Sequence, residues 1–251
     1  MVNTVLRSFQ ILEKLGDGQS LGVSELAREL DMAKSSVHGI LETLVHEKVV
    51  GKNPVTGKYS LGIRLIEFGN RAQLGLDICR IAAPFLKGLN VEFDETVHLT
   101  LLDNDEVLYV DCIESRKRLR TYSVIGVRAP LYCTSVGKAI LAFLPEDEIG
   151  RIARTKGLSP ITPATITTEE GLFAELAAIR KQGYAVDDLE HEEHLRCVGA
   201  PIRNSRGEVF ASISLSGPAE RNTRERIIQM APSLMRATED ISRRLGYRNS
   251  Q

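Results

Sequence analysis

The chain has 251 residues, 43% of them hydrophobic and 26% charged, which is the make-up of an ordinary globular protein long enough for two domains and leaves no room for extensive disorder. Its net charge of −1 excludes a polybasic nucleic-acid coat. No apolar run reaches the roughly 18 to 20 residues of a membrane span, the first residues lack a secretion-signal pattern, and the four cysteines are scattered without CxxC pairs, so a cytoplasmic protein with reduced thiols is expected.

A first helix is expected from Asn3 to about Leu15, burying Val5, Leu6, Phe9, Leu12 and Leu15, with Gly16, Asp17 and Gly18 ending it. Val23, Leu26, Ala27 and Leu30 then fall at i, i+3, i+4 and i+7. Val37, Ile40, Leu41 and Leu44 repeat that spacing after the break at Asp31, Met32 and Ala33. Two short amphipathic helices therefore meet at a tight turn, the first opening at Ser24 and the second at Lys34, Ser35 and Ser36, where hydroxyls can cap. Val49 and Val50, a Gly-Lys-Asn-Pro-Val-Thr-Gly stretch, and then Lys58, Tyr59, Ser60 and Leu61 read as strand, turn and strand.

Together these elements predict a winged helix-turn-helix, whose second helix enters the major groove of double-stranded DNA. The outward residues of that helix, Lys34, Ser35, Ser36, His38, Gly39 and Thr43, suit base edges and phosphates, while Lys52, Lys58 and the adjacent Tyr59 of the wing suit the sugar-phosphate backbone. An ordinary helical bundle would show the helix pair but not the lysine-bracketed hairpin. Residues 1–75 carry nine Lys or Arg against eight Asp or Glu, whereas 34–64 carries five against two, so the positive excess lies where a groove would be. So small a footprint favours two or more copies acting together.

Beyond the wing, 63–74 is predicted helical and Asp77 is placed as the cap of a helix through Leu89, with Pro84 near its first turn or at a kink. The segment 63–90 is thus expected as a helical linker between a domain at 1–62 and one at 91–251. From Thr96 the period changes to two, predicting strands from Thr96, at 107–113, 119–123, 184–187, 198–203 and 209–215. Helices are expected at 134–144, 146–153, 169–182 and 222–245. The second domain is therefore α+β with a mainly antiparallel sheet.

Thr134 is positioned to cap a helix whose first N–H groups, at Ser135, Val136 and Gly137, would favour an anion. Ser214 and Ser216 alternate along a strand, so both hydroxyls face one side. Gly137 and Lys138 fail as a phosphate loop, because Tyr132 stands where the first glycine is required and Ala139 where the hydroxyl belongs. His191, Glu192, Glu193, His194 and Cys197 are spaced unlike known zinc motifs, and no metal or cofactor is expected. A cysteine-dependent enzyme would use Cys133 or Cys197 with His191, His194 or His98 as base, without a recognisable catalytic context.

Over essentially its full length the chain resembles the IclR-type bacterial transcriptional regulators. The resemblance rests on residues 21–30 and 34–44, on GVRAPLYCTSVGKAILA at 126–142, on GYAVDDLEHEEHLRCVGAPI at 183–202, and on ASISLSGP at 211–218. It implies a winged head, a helical linker and a GAF-like C-terminal domain that binds a small organic effector, assembled as homodimers or homotetramers. Within the family, 119–142 is most similar to regulators of pectin and hexuronate breakdown that answer to a 2-keto-3-deoxy sugar acid. Other relatives answer to glyoxylate, pyruvate or aromatic acids. The resemblance places pocket groups at Asp187, Cys197, Ser214 and Ser216, beside Ser135 and Val136, with Leu131, Ile140 and Leu195 as the expected apolar wall. The chain departs from the family pattern at Ser135 and Val136, ahead of the Gly-Lys pair, and at His194.

Overall fold

The computed structural model describes residues 2–121 and 125–248, which lie in two compact units, Met1–Gly75 and Leu76–Gln251. Among the described residues no helix is long and apolar enough to cross a membrane.

The first unit contains α1 (Asn3–Gly16), α2 (Val23–Glu29), α3 (Lys34–His46), a hairpin of β1 (Val50–Lys52) and β2 (Tyr59–Leu61), and α4 (Arg64–Leu74). Leu26 and Ala27 of α2 close on Val37, Ile40 and Leu41 of α3, and Ile11 and Leu15 of α1 complete the cluster. Asp31 turns the chain between α2 and α3 in the left-handed region, at φ 49°, which a short polar side chain tolerates better than most. Three local expectations are corrected. The α2 cap is Gly22, whose N–H donates to Glu25 Oε2 at 2.7 Å, so Ser24 is not the cap. Ala33 precedes α3 with no side-chain cap, which leaves the Ser35 and Ser36 hydroxyls out of capping. On α1, Val5, Leu6 and Phe9 are exposed, because the small core reaches only the later turns at Ile11 and Leu15.

The second unit is built on one antiparallel sheet in the order β5-β4-β3-β8-β7-β6. Its strands are β3 (Thr96–Asp103), β4 (Glu106–Ile113), β5 (Arg128–Pro130), β6 (Ala185–Asp188), β7 (Leu195–Arg203) and β8 (Val209–Pro218). Period-two alternation divides its two faces. Val97, Leu99, Val198, Ala200, Ile213 and Leu215 pack with α5 (Asp77–Phe93) and α9 (Arg224–Arg244). On the other side lie α6 (Ser135–Leu141), α7 (Glu146–Lys156) and α8 (Glu169–Gln182) around a second core of Ile140, Leu141, Ile149, Leu172 and Leu176.

The segment 63–90 is not a single element. Helix α4 belongs to the first unit, while α5 contributes Ile78, Ala82, Leu86 and Leu89 to the core of the second. Pro84 lies inside α5 rather than in its first turn, and Asp77 is a first-turn residue after the cap Leu76. Burial of the apolar stripe outweighs the backbone bond that proline removes. The strand expected at 119–123 is absent at Leu119–Thr121, and its remainder lies outside the described residues. The sheet edge beside β4 is taken instead by β5, with Val107 opposite Ala129 and Glu106 opposite Pro130.

One glycine sets how closely α6 approaches the sheet, and another how tightly the turn before α6 folds onto it. A Cβ on Gly199 would lie 2.6 Å from the Ser135 carbonyl oxygen, and one on Gly137 would lie 2.5 Å from Leu131 Cα. Neither position has space for a side chain, so the start of α6 rests on β7 itself. Ser212 Oγ reinforces this packing by donating to the Val136 carbonyl at 2.9 Å.

Candidate functional site

In the first unit, the side of α3 opposite its buried stripe presents Lys34, Ser35, His38, Gly39 and Thr43 exposed and Ser36 half-buried. Thr43 Oγ1 donates to the Gly39 carbonyl at 3.1 Å, and His38 Nδ1 lies 3.5 Å from Glu42. The wing turn is shaped by Asn53, whose Oδ1 accepts from the N–H groups of Val55 and Thr56 at 2.9 and 3.1 Å. Val55 at its tip is 91% exposed. The two wing lysines differ. Lys52 is exposed with Nζ 5.4 Å from the Tyr59 ring centroid, whereas Lys58 Nζ is paired with Glu25 at 3.3 Å. Tyr59 is corrected outright: it is buried in the head core and its backbone bridges Leu21, so its ring is a packing residue and offers no surface to DNA.

In the second unit, strand register assembles a polar strip. Asp187, Cys197, Ser216 and Thr96 stand opposite one another across β6, β7, β8 and β3. Two residues along, Gly199, Ser214 and His98 form the next row. Directly paired residues share a face, and the missing side chain at Gly199 is where the start of α6 sits. Between strip and helix lies a cavity of about 170 Å³. That volume is far above the roughly 10–15 Å³ that seats one water. All seven residues expected in the pocket, Ser135, Val136, Asp187, Leu195, Cys197, Ser214 and Ser216, line it. Leu131 and Ile140 do not. They are buried in the core beneath α6, Leu131 because it precedes the helix cap and Ile140 because it lies a turn inside, on the face directed at α7 and α8.

Thr134 caps α6 by accepting from Gly137 N–H at 3.0 Å, and it donates to the Pro130 carbonyl at 2.8 Å. Asp187 Oδ1 accepts from the N–H groups of Glu190 and His191 at 2.8 and 3.3 Å. Burial nevertheless pushes this carboxyl up to about 7, with the Glu190 charge adding to the effect. His98 Nδ1 lies 3.3 Å from both Ser214 Oγ and Ser216 Oγ, and its ring meets Tyr109 edge-on at 5.2 Å. Burial holds that imidazole down to about 4, so it is neutral.

Several lining residues carry no signal in the sequence, among them Tyr109, Thr121 and Arg128, while His98 and His191 stand out there only as candidate enzyme bases and Glu192 only within a cluster weighed for metal. The alternation of β3 could have flagged His98, since it falls on the same phase as Thr96 and Thr100. The others arrive from connections and a neighbouring strand that only the tertiary fold brings in. Lys138 is also illegible from sequence. It is wholly buried, with Nζ 2.9 Å from Glu175 and hydrogen-bonded to Glu190. Burial opposes its charge, but the two carboxylates outweigh that and raise its pKa. His191, Glu192 and Cys197 face the cavity while Glu193 and His194 are exposed, and among the described residues no three potential metal ligands converge.

Residues 4–54 match the IclR helix-turn-helix domain, and residues 71–243 match the bacterial transcriptional regulator IclR C-terminal domain. The chain is 38% identical over 246 residues to the HTH-type transcriptional regulator KdgR of Escherichia coli (strain K12), covering 98% of this chain and 94% of that one. The crystal structure of the Thermotoga maritima IclR superposes with a TM-score of 0.80 at 36% identity, over 98% of this chain and 100% of that one. An IclR homolog complexed with 4-hydroxybenzoate from Microbacterium hydrocarbonoxydans shares the fold, with a TM-score of 0.83 at 23% identity over 97% of this chain and 99% of that one. A thiol nucleophile has no support from the site, since burial pushes Cys133 up to about 12 and raises Cys197 as well. A winged DNA-binding head joined to an α+β domain, matched along both parts, makes this chain a DNA-binding regulator and not an enzyme: it belongs to the IclR family of bacterial transcriptional regulators.

Proposed function

We propose that the cavity of the second unit is an effector site for a small organic acid bearing hydroxyl groups, of the 2-keto-3-deoxy sugar acid kind, and that its occupancy controls operator binding by the head. The carrying observation is the register that gathers Asp187, Cys197, Ser214, Ser216 and His98 on one sheet face, beneath the start of α6. Ser135 and Val136 N–H groups and the serine hydroxyls supply donors to a carboxylate. Asp187, neutral or charged, serves ligand hydroxyls, and Leu195 and Val136 supply apolar wall. In the head, Lys34, Ser35, Ser36, His38, Gly39 and Thr43 face the groove and Lys52 meets the phosphate backbone. Lys58 acts less directly because Glu25 shares its charge.

The working form is a homodimer or homotetramer in the cytoplasm, where a bacterial operator is found. Exposed apolar side chains on α1 (Val5, Leu6, Phe9) and α4 (Ile66, Phe68) support self-association. The effector acts through unequal affinity for operator-competent and operator-incompetent states.

The test is fluorescence anisotropy on a DNA fragment selected by the protein from a random library, titrated with 2-keto-3-deoxygluconate, pyruvate and 4-hydroxybenzoate. At least one acid should change operator affinity, and Ser216→Ala should blunt that response while leaving unliganded binding within about twofold. Loss of operator binding in a folded Ser216→Ala protein would contradict the division between head and cavity.

A further inference from the structure

Thr121 lies in the connection between β4 and β5 and is one of the residues that line the cavity. The residue is 6% exposed, and its Oγ1 is buried with no hydrogen-bond partner among the described residues. Neighbouring hydroxyls are engaged: Thr134 Oγ1 both donates and accepts, and Ser214 and Ser216 share their hydroxyls with each other and with His98. A buried hydroxyl left unmatched is unfavourable, and a cavity wall is where a bound molecule can satisfy it. Since Thr121 Oγ1 has both its donor and its acceptor capacity open, its natural complement is another hydroxyl, which needs one of each. A carboxylate would use only the donor.

The chain leading to Thr121 is also anchored from outside the cavity. Arg221 Nη2 donates to the Leu119 carbonyl at 3.1 Å while its guanidinium pairs with the wholly buried Glu95. Lys117 Nζ reaches the same Glu95 carboxylate at 3.1 Å, and the Ser115 N–H donates to Thr96 Oγ1 at 3.2 Å. These bonds tie the segment preceding Thr121 to β3 and to the start of α9, so the threonine is preorganised and ligand binding need not order it.

We propose that Thr121 is a specificity-determining residue of the cavity, exchanging hydrogen bonds with a hydroxyl of the bound acid and thereby selecting hydroxylated acids over deoxygenated acids of the same length. This rests on the cavity being an acid effector site, as proposed above.

Isothermal titration of the full chain with 2-keto-3-deoxygluconate and with 2-oxohexanoate, which has the same six carbons and no hydroxyls, tests it. Thr121→Val should weaken the hydroxylated acid about tenfold and change the other by less than about twofold, while Thr121→Ser should remain within about threefold of wild type for both. The unliganded Thr121→Val protein should unfold at or above the wild-type temperature, because valine removes no satisfied hydrogen bond. Thr121→Ala offers the same comparison should valine fail to fold. Equal weakening of both acids, or no weakening of either, would overturn the role of Thr121 while leaving the effector site standing. If wild type binds neither acid, the effector reading itself fails and takes this inference with it.

Discussion

Replacing Lys138 by methionine isolates the buried charge cluster beneath the cavity. The ammonium is held by Glu175 and Glu190, and the Glu190 N–H in turn holds Asp187 Oδ1, so this cluster underlies one wall of the site. Methionine fills similar length without charge and leaves Glu190, 5% exposed and with Oε2 already lacking a partner among the described residues, to meet the protein interior alone. It will then take up a proton. In the unfolded chain the same carboxyl ionises near 4.5, so keeping it neutral in the folded protein at pH 7 costs up to about 3 kcal/mol at roughly 1.36 kcal/mol per pH unit. The sign follows from a folded pKa raised above the unfolded value: the variant approaches wild-type stability below about pH 4.5 and falls behind as pH rises toward 7. Urea denaturation at pH 5 and pH 7 should show a deficit under about 1 kcal/mol at the lower pH and about 3 kcal/mol at the higher. Adding Glu190→Gln should recover most of the loss. A deficit equal at both pH values and untouched by Glu190→Gln would refute the reasoning.

Three further outcomes are expected. Because burial lifts Asp187 to about 7, a monoanionic acid should bind more tightly at pH 6 than at pH 8, by up to about tenfold, and Asp187→Asn should flatten that dependence; titration calorimetry with a pH-independent profile in wild type would rule it out. Lys52→Ala should lower operator affinity and reduce the slope of log K against log salt by about 0.9 for each phosphate the lysine neutralises, whereas Lys58→Ala should change the slope less because its ammonium is shared with Glu25; anisotropy across a salt series reads both. Gly199→Ala places a methyl 2.6 Å from the Ser135 carbonyl oxygen and 3.0 Å from Val136 N, so it should destabilise the second unit by about 1–3 kcal/mol and weaken acid binding by displacing the start of α6; unchanged stability and affinity would show that the close approach relaxes freely.

The head was legible residue by residue because its information is local. The spacing of Leu26, Ala27, Val37, Ile40 and Leu41 sets which helix faces are buried, and the Asn-Pro-Val-Thr-Gly turn sets the hairpin. Where local reasoning failed, a competing partner decided the outcome. Glu25, by accepting from the Gly22 N–H, fixed Gly22 as the α2 cap in place of Ser24 and also drew in Lys58, and Tyr59 was taken by the core. The sheet domain was legible as a class, since alternation from Thr96 onward announces strands, but alternation carries no strand order. Its edge strand was misplaced because 119–121 has strand-like composition yet its neighbours are held by Glu95, Arg221 and Thr96.

From the sequence alone follow the winged head with its exposed α3 residues, the antiparallel class of the second domain, and the family whose motifs name Asp187, Cys197, Ser214 and Ser216. Only the tertiary structure decides that His98, Tyr109 and Thr121 join them, that Leu131 and Ile140 do not, and that Lys138 is locked between two carboxylates. The reason is physical. Periodicity and capping act between residues a few positions apart, whereas a cavity wall is set by strand register and by how closely a helix can rest on a glycine, and that register joins residues as far apart in the chain as Thr96 and Ser216.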